Sequence, residues 1–283
     1  MRINKTLRVA LTGLLVAGLV FTFAGCGKKQ EQEGALQVRG SDTMLQISTS
    51  WAEAFMTANP KIQIAVTGGG SGTGIAAMIN GTIDIANASR KIKDKEIEDA
   101  KANGVEPLEH VVAKDGISIV VNPANPVRDL TMEQIKDIYT GVVTNWKDVG
   151  GPDNDITLCA RDNSSGTYGF FQKHVLMKED YSPKALNLQS NSAIVEEVAQ
   201  NEFAIGYIGL GYLVDAGEKV AAVAVDGVSP NNESVASGEY KIARGLQMYT
   251  NGEPEGLPKA FLDFIMSEEG QKIVSDEGFV PLN

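Results

Sequence analysis

Arg161-Asp162-Asn163-Ser164-Ser165-Gly166-Thr167 puts a fixed cation, hydroxyl groups and a glycine into seven consecutive positions. An apolar run at 156–160 leads into it, and a helix-like run at 167–176 leads out. A helix N-terminus presents free N–H groups and the positive end of the helix dipole, while a glycine lets the backbone approach a ligand. That combination is an anion clamp. The competing chemistry is a serine nucleophile, which needs a base. Only His110 and His174 are available, and His174 falls about two turns into the following helix, facing away from the loop. No Gly-x-Ser-x-Gly elbow is present, so a Ser/His/Asp triad is unsupported and no catalytic residue is assigned.

Three more junctions between a strand-like and a helix-like run carry a hydroxyl: Thr43 in Gly40-Ser41-Asp42-Thr43, Ser71 in the glycine-rich 67–74 loop, and Ser89 in Asn87-Ala88-Ser89-Arg90. The glycine loop lacks the Gly-Lys-Ser/Thr ending of a P-loop and the spacing of a dinucleotide fingerprint. Each hydroxyl alone is an ordinary helix cap. Four such junctions beside Arg161 favour a shared ligand, because strand carboxyl ends gather on one side of an α/β sheet. No lysine stands at the four junctions, so a ligand held there mainly by neutral dipoles remains releasable. Arg161 adds a fork suited to tetrahedral oxyanions.

The elements that must position these groups alternate. Strands are expected at 36–38, 62–66, 83–86, 117–122, 203–208 and 245–249. Helices are expected at 44–58, from 75 to Asn80, around 93–103, from the Thr131–Gln134 capping box to Tyr139, from a cap at Asn191 or Ser192 to Gln200, and within 257–275. Residues 229–238 read as loop, and 122–128 as a crossing between two lobes. Trp146 reads as a packing residue. Alternating signals without a 20–50-residue repeat imply an α/β fold with mostly parallel sheets.

Of the 283 residues, 43% are hydrophobic. Arg2, Lys5 and Arg8 precede an apolar stretch at 9–23, the layout of a signal peptide over residues 1–25, too short for a comfortable membrane span. Phe23-Ala24-Gly25-Cys26 matches a lipobox, with Cys26 as the lipidated residue, except that phenylalanine stands where leucine is usual. Residues 26–34 then form a flexible polar tether. Removing the signal carries the net charge from −11 to about −14, which argues against nucleic acid as partner but not against a small anion. With Cys159 as the only other cysteine, no disulfide forms within the mature fold, Cys159 reads as a buried thiol, and no zinc site or other cofactor is expected.

In these residues the chain resembles the phosphate-binding lipoproteins of bacterial ABC transporters, the PstS family. The likeness rests on GSDTM (40–44), GGGSGTG (68–74), IDIANASR (83–90) and RDNSSGT (161–167), in matching order and spacing, and runs from Leu36 to Asn283. It implies a two-lobed type II periplasmic-binding-protein fold with the ligand cleft between the lobes. Residues 35–115 plus 225–283 would form lobe I, and 116–224 lobe II. It implies inorganic phosphate as ligand, permease subunits of an ABC transporter as partners, a monomer, and a lipid (palmitate) anchor at Cys26 on the extracytoplasmic face of the cell membrane. Thr43, Met44, Ser71, Ser89, Arg161, Ser165, Gly166 and Thr167 would bind phosphate, with Asp162 or Asn163 positioning Arg161. Well-known members of the family carry an aspartate where this chain has Ser89, and that carboxylate accepts the hydrogen bond from protonated phosphate and so rejects sulfate. Asp42 and Asp115 are the candidates for that task here. Sulfate, molybdate or tungstate is the alternative ligand.

Overall fold

The structure is a computed structural model that describes residues 34–282; the signal peptide, Cys26 and most of the tether lie outside the described residues. Its strands are β1 (Gly34–Gly40), β2 (Ile62–Thr67), β3 (Ile85–Ala88), β4 (Pro107–Val121), β5 (Asp129–Leu130), β6 (Thr157–Arg161), β7 (Leu186–Leu188), β8 (Ala204–Gly209), β9 (Ala221–Val225) and β10 (Ala243–Asn251). Its α-helices are α1 (Leu45–Ala58), α2 (Ser71–Ile79), α3 (Asp94–Ala102), α4 (Met132–Thr140), α5 (Gly166–His174), α6 (Asn191–Gln200), α7 (Leu210–Ala216), α8 (Asn232–Ser237), α9 (Gly256–Ile265) and α10 (Glu268–Asp276).

The strands hydrogen-bond in the order β2-β1-β3-β10-β4-β8-β6-β7, with β9 joining β4 and β5 at the side. The β1–β2, β1–β3, β5–β9, β6–β7 and β6–β8 pairs are parallel. The antiparallel pairs all involve β4 or β10. Each sheet is therefore mixed, and the two antiparallel strands are the ones that join its halves. Up to Gly116, β4 pairs with β10; from Ile117 onward it pairs with β8 and β9.

Two cores flank that change of partner. On one side Leu36, Trp51, Phe55, Val112, Leu246 and Phe261 pack together. On the other are Ile117, Ile119, Tyr139, Trp146, Phe171 and Tyr207. A fully buried large side chain contributes roughly 1.5–3 kcal/mol, so each cluster is large enough to hold its own lobe. Trp146 is fully buried and its indole N–H donates to the Phe203 carbonyl at 2.9 Å, a packing role with its polar atom satisfied.

Several boundaries differ from the sequence expectation. The α2 helix begins at Ser71, four residues early, because Gly70 takes φ 98°, a backbone that only glycine adopts readily, and turns the chain directly into it. The cap of α6 is Ser190, whose hydroxyl accepts from Ala193 N–H. The 229–238 stretch holds the short helix α8, started by an Asn231/Ser234 capping box. The 122–128 segment does not cross between the cores: Asn122 and Asn125 are tied to carbonyls of Val198, Ala199 and Glu202, all on the second side. The crossing happens inside β4, which the alternation signal read only from residue 117 on. The Thr131–Gln134 capping box forms as expected.

Candidate anion-binding site

Four chain segments converge where the two lobes face each other. From the first lobe come a 3-10 turn, Asp42–Met44, the N-terminus of α2 and the end of β3; from the second comes the β6–α5 loop. Thr43 Oγ1 and Thr167 Oγ1 lie 2.8 Å apart across the cleft. Ser41 Oγ donates to Ser89 Oγ at 2.9 Å, Ser89 N–H donates to Ser71 Oγ at 3.0 Å, and the Ser71 and Ser89 hydroxyls stand 3.4 Å apart. Ser165 caps α5, its hydroxyl accepting from Thr167 N–H and Tyr168 N–H at 3.2 and 3.3 Å. Met44 N–H is used within its own turn, donating to Ser41 O at 3.2 Å.

Gly166 brings the lobes together. A Cβ there would lie 2.2 Å from Ser71 Oγ and 2.6 Å from Ser89 Oγ, so only glycine permits this approach. Beside it, Gly72 N–H donates to Ser164 O at 3.0 Å, and Ser164 Oγ donates to Gly69 O at 3.1 Å. Thr43, Ser71, Ser89, Arg161, Ser165 and Thr167 are all buried.

Arg161 ends β6, only 1% exposed. Its Nη2 donates to Gln189 O at 2.8 Å, and its Nη1 lies 3.4 Å from Asp42 Oδ2. Its Nε and Nη1 are buried without a hydrogen-bond partner among the described residues. The expected local partners do not serve it: Asp162 Oδ1 instead accepts from Ser164 N–H and its hydroxyl. The neighbouring carboxylate comes from the other lobe. Asp42 Oδ2 also accepts from the backbone and side-chain amides of Asn191 at 2.9 and 2.7 Å.

Arg244, which sequence reasoning missed, reaches the same hydroxyls. It donates through Nη2 to Thr167 Oγ1 at 2.9 Å and to Thr43 Oγ1 at 3.5 Å, and through Nη1 to Ser89 O at 2.7 Å. Its Nε and Nη2 both donate to Asp115 Oδ2, at 3.0 and 2.7 Å. Asp115 Oδ1 accepts from Leu210 N–H at 2.9 Å. Burial pushes the Asp115 carboxyl above the usual carboxylate range, with Arg244 and the Leu210 N–H pulling it back. The two residues face each other in the β4–β10 register, 129 positions apart in sequence, and no local motif marks Arg244. With both oxygens bonded, Asp115 is poorly placed to accept a further proton.

Neither histidine serves a site serine. His110 pairs with Thr250 Oγ1 at 2.8 Å, and His174 stacks on Phe170 at 4.3 Å. Cys159 is buried and its thiol is pushed up to about 12 by that burial, which makes it a packing group.

The arrangement is a buried cage of hydroxyls with one guanidinium short of hydrogen-bond partners among the described residues. A model of the PBP superfamily domain matches residues 27–269. The phosphate-binding protein PstS of Bacillus subtilis is 37% identical over 95% of this chain and 92% of its own length. The chain belongs to the PstS family. Among solved structures, a Clostridium perfringens substrate-binding protein with bound phosphate, assigned to a phosphate ABC transporter, superposes with a TM-score of 0.82 at 37% identity, covering 88% of this chain and all of its own. An ABC-type phosphate transport receptor from Vibrio cholerae gives 0.72 at 31% identity, with 88% and 100% coverage. The PstS membership fixes the fold as the two-lobed type II periplasmic-binding-protein architecture. It agrees with two cores joined by β4 and β10.

Proposed function

We propose that this chain is an extracytoplasmic solute-binding protein that captures inorganic phosphate between its lobes and delivers it to the permease of an ABC transporter. The observation that carries the reading is Arg161: two guanidinium nitrogens, buried and without a hydrogen-bond partner among the described residues, on the loop that also carries Ser165 and Thr167. A buried donor left unpaired costs about 1–3 kcal/mol, more when charged, and a tetrahedral dianion removes that cost while accepting hydrogen bonds from the hydroxyls. Its Bacillus subtilis relative is a phosphate-binding protein and its Clostridium perfringens counterpart holds bound phosphate, which fits this donor set. Binding rather than catalysis is supported by Ser165, whose oxygen accepts from two backbone N–H groups, and by histidines engaged elsewhere.

In this reading Thr43, Ser71 and Ser89 of lobe I and Arg161, Ser165, Gly166 and Thr167 of lobe II close on the anion, and Met44 contributes the end of its turn. The lobes meet near residues 115–117. Val225, Val235, Tyr240 and Ile242 pack with the second core, which favours a return crossing at 242–243 rather than at 224–225. A monomer tethered by lipid at Cys26 would present the closed form to the permease. Sulfate, molybdate and tungstate remain rival ligands because the cage is built chiefly of donors. Titration calorimetry on a chain beginning at Gly34 tests the assignment. Phosphate should bind one to one and out-compete the three other anions; failure to bind any oxyanion, or turnover of phosphate esters that is lost in Ser165→Ala, would overturn it.

A further inference from the structure

An arginine can only donate hydrogen bonds, and that restricts what surrounds Arg244. Thr167 Oγ1 accepts from its Nη2, so the Thr167 hydroxyl has one acceptor position filled. Thr43 Oγ1, 3.5 Å from the same nitrogen, is 2.8 Å from Thr167 Oγ1. Whichever threonine donates to the other, one hydroxyl proton of the pair is left for a ligand. Ser71 Oγ accepts from Ser89 N–H, Ser89 Oγ from Ser41, and Ser165 Oγ from two backbone amides. Asp115, which Arg244 links to these hydroxyls, has Oδ2 taken twice by Arg244 and Oδ1 by Leu210 N–H.

The geometry points to Arg244 as a positioning residue that sets the protonation state of the ligand: by occupying Asp115 Oδ2 and one acceptor position of Thr167 it closes Asp115 to the ligand and leaves Asp42 as the carboxylate acceptor, so the cage selects an oxyanion carrying a single P–OH. This rests on the phosphate reading above. Monohydrogen phosphate has one such proton and dihydrogen phosphate has two. Asp42, beside the free edge of Arg161, is the carboxylate left for the one proton. A second P–OH would meet a hydroxyl proton or a guanidinium, and a donor facing a donor is repelled.

Other charges around Arg244 must be accounted for. Asp115 faces it from β4, Arg161 from β6 and Tyr207 from β8. Arg90, Lys173 and His174 line the groove of about 480 Å³ that Arg244 also borders, where its guanidinium lies 5.6 Å from the Phe170 ring centre. His174 is held below its ordinary range by burial and by Lys173. A His174→Gln variant separates its contribution.

The test is phosphate affinity by calorimetry from about pH 5.5 to about pH 8, in wild type, His174→Gln, Arg244→Gln and the double variant Arg244→Gln/Asp115→Asn. Below the second ionisation of phosphate, wild-type affinity should rise about tenfold per pH unit, following the dianion fraction, and His174→Gln should follow the same slope. A glutamine amide both donates and accepts, and it frees the Asp115 and threonine oxygens. Arg244→Gln should therefore bind phosphate on the order of 10- to 100-fold more weakly at neutral pH, with the slope reduced to roughly threefold per unit or less. The double variant leaves no unpaired buried carboxylate, so it keeps the test open if Arg244→Gln fails to fold, and it should show the same flattened slope. A wild-type slope near zero, a slope that flattens in His174→Gln, or a tenfold slope that persists in the folded arginine variants overturns the inference while leaving phosphate binding intact. A wild type that binds no phosphate at any pH overturns the functional reading with it.

Discussion

A buried guanidinium with two idle nitrogens is expensive unless something completes it. Arg161 is held by one carbonyl, at Gln189, and by a 3.4 Å approach to Asp42, so its free edge is a standing cost in the absence of an anion. Arg161→Met should abolish phosphate binding, weakening it by at least about 100-fold, while the thermal midpoint without ligand stays level or rises. A ligand-free midpoint that drops sharply would show that Arg161 is a structural cation instead. Asp42 makes the complementary test. Asp42→Asn should weaken phosphate by roughly 10- to 100-fold and leave sulfate unchanged or tighter, because the amide donates where the carboxylate accepted the ligand's proton. Competition calorimetry with the two anions reads this, and unchanged selectivity would remove Asp42 from the role. Arg161 was legible in the sequence because it ends a strand and heads a loop of hydroxyls and glycine. Its partner was not: Asp162 is adjacent in sequence, yet its carboxylate turns to cap Ser164, while Asp42 arrives from the other lobe. Arg244 was hidden for the same reason, since only the register between β4 and β10 places it opposite Asp115.

Junctions between elements were the most readable features, because capping chemistry is local. The Thr131–Gln134 box starts α4 as its spacing predicts, and Ser165 caps α5. Exposed caps of this kind contribute about 1 kcal/mol, so Thr131→Ala should lower stability by about that amount in chemical unfolding and leave anion binding unaltered. The short elements α8, β5 and β7 escaped notice because two to six residues carry too little periodicity to stand out from loop. At α5 the decisive element-scale feature is Gly166, in the first turn. Alanine suits a helix start, so Gly166→Ala should fold normally. Its methyl would press on the Ser71 and Ser89 hydroxyls and wedge the lobes apart. Phosphate affinity should fall by at least about tenfold, mostly through faster release. Stopped-flow kinetics showing wild-type release would mean that the lobes tolerate the methyl and that contact at Gly166 does not govern closure.

The whole molecule turns on two strands. β4 and β10 are the antiparallel members of otherwise parallel neighbourhoods, and Gly116 faces Ala243 in their register where β4 leaves one sheet for the other. Bending there would move the lobes as bodies, since each has its own core. Some of the closing contacts need no ligand: Ser164 reaches Gly69, and Gly72 reaches Ser164. Those contacts bias the molecule toward closure, and on the proposed reading an anion held by Arg161 would complete it. Phosphate should thus act on shape and stability together. At about 100 times the dissociation constant, linkage alone adds roughly 2.7 kcal/mol, which for a chain of this size raises the thermal midpoint by about 5–10 °C. Small-angle scattering under the same conditions should show a smaller radius of gyration than the ligand-free protein. Arg161→Met, still folded, should show neither change. A thermal shift with no change in dimensions would mean that phosphate enters a molecule already closed, and the signal read by the permease would then have to be something other than lobe closure.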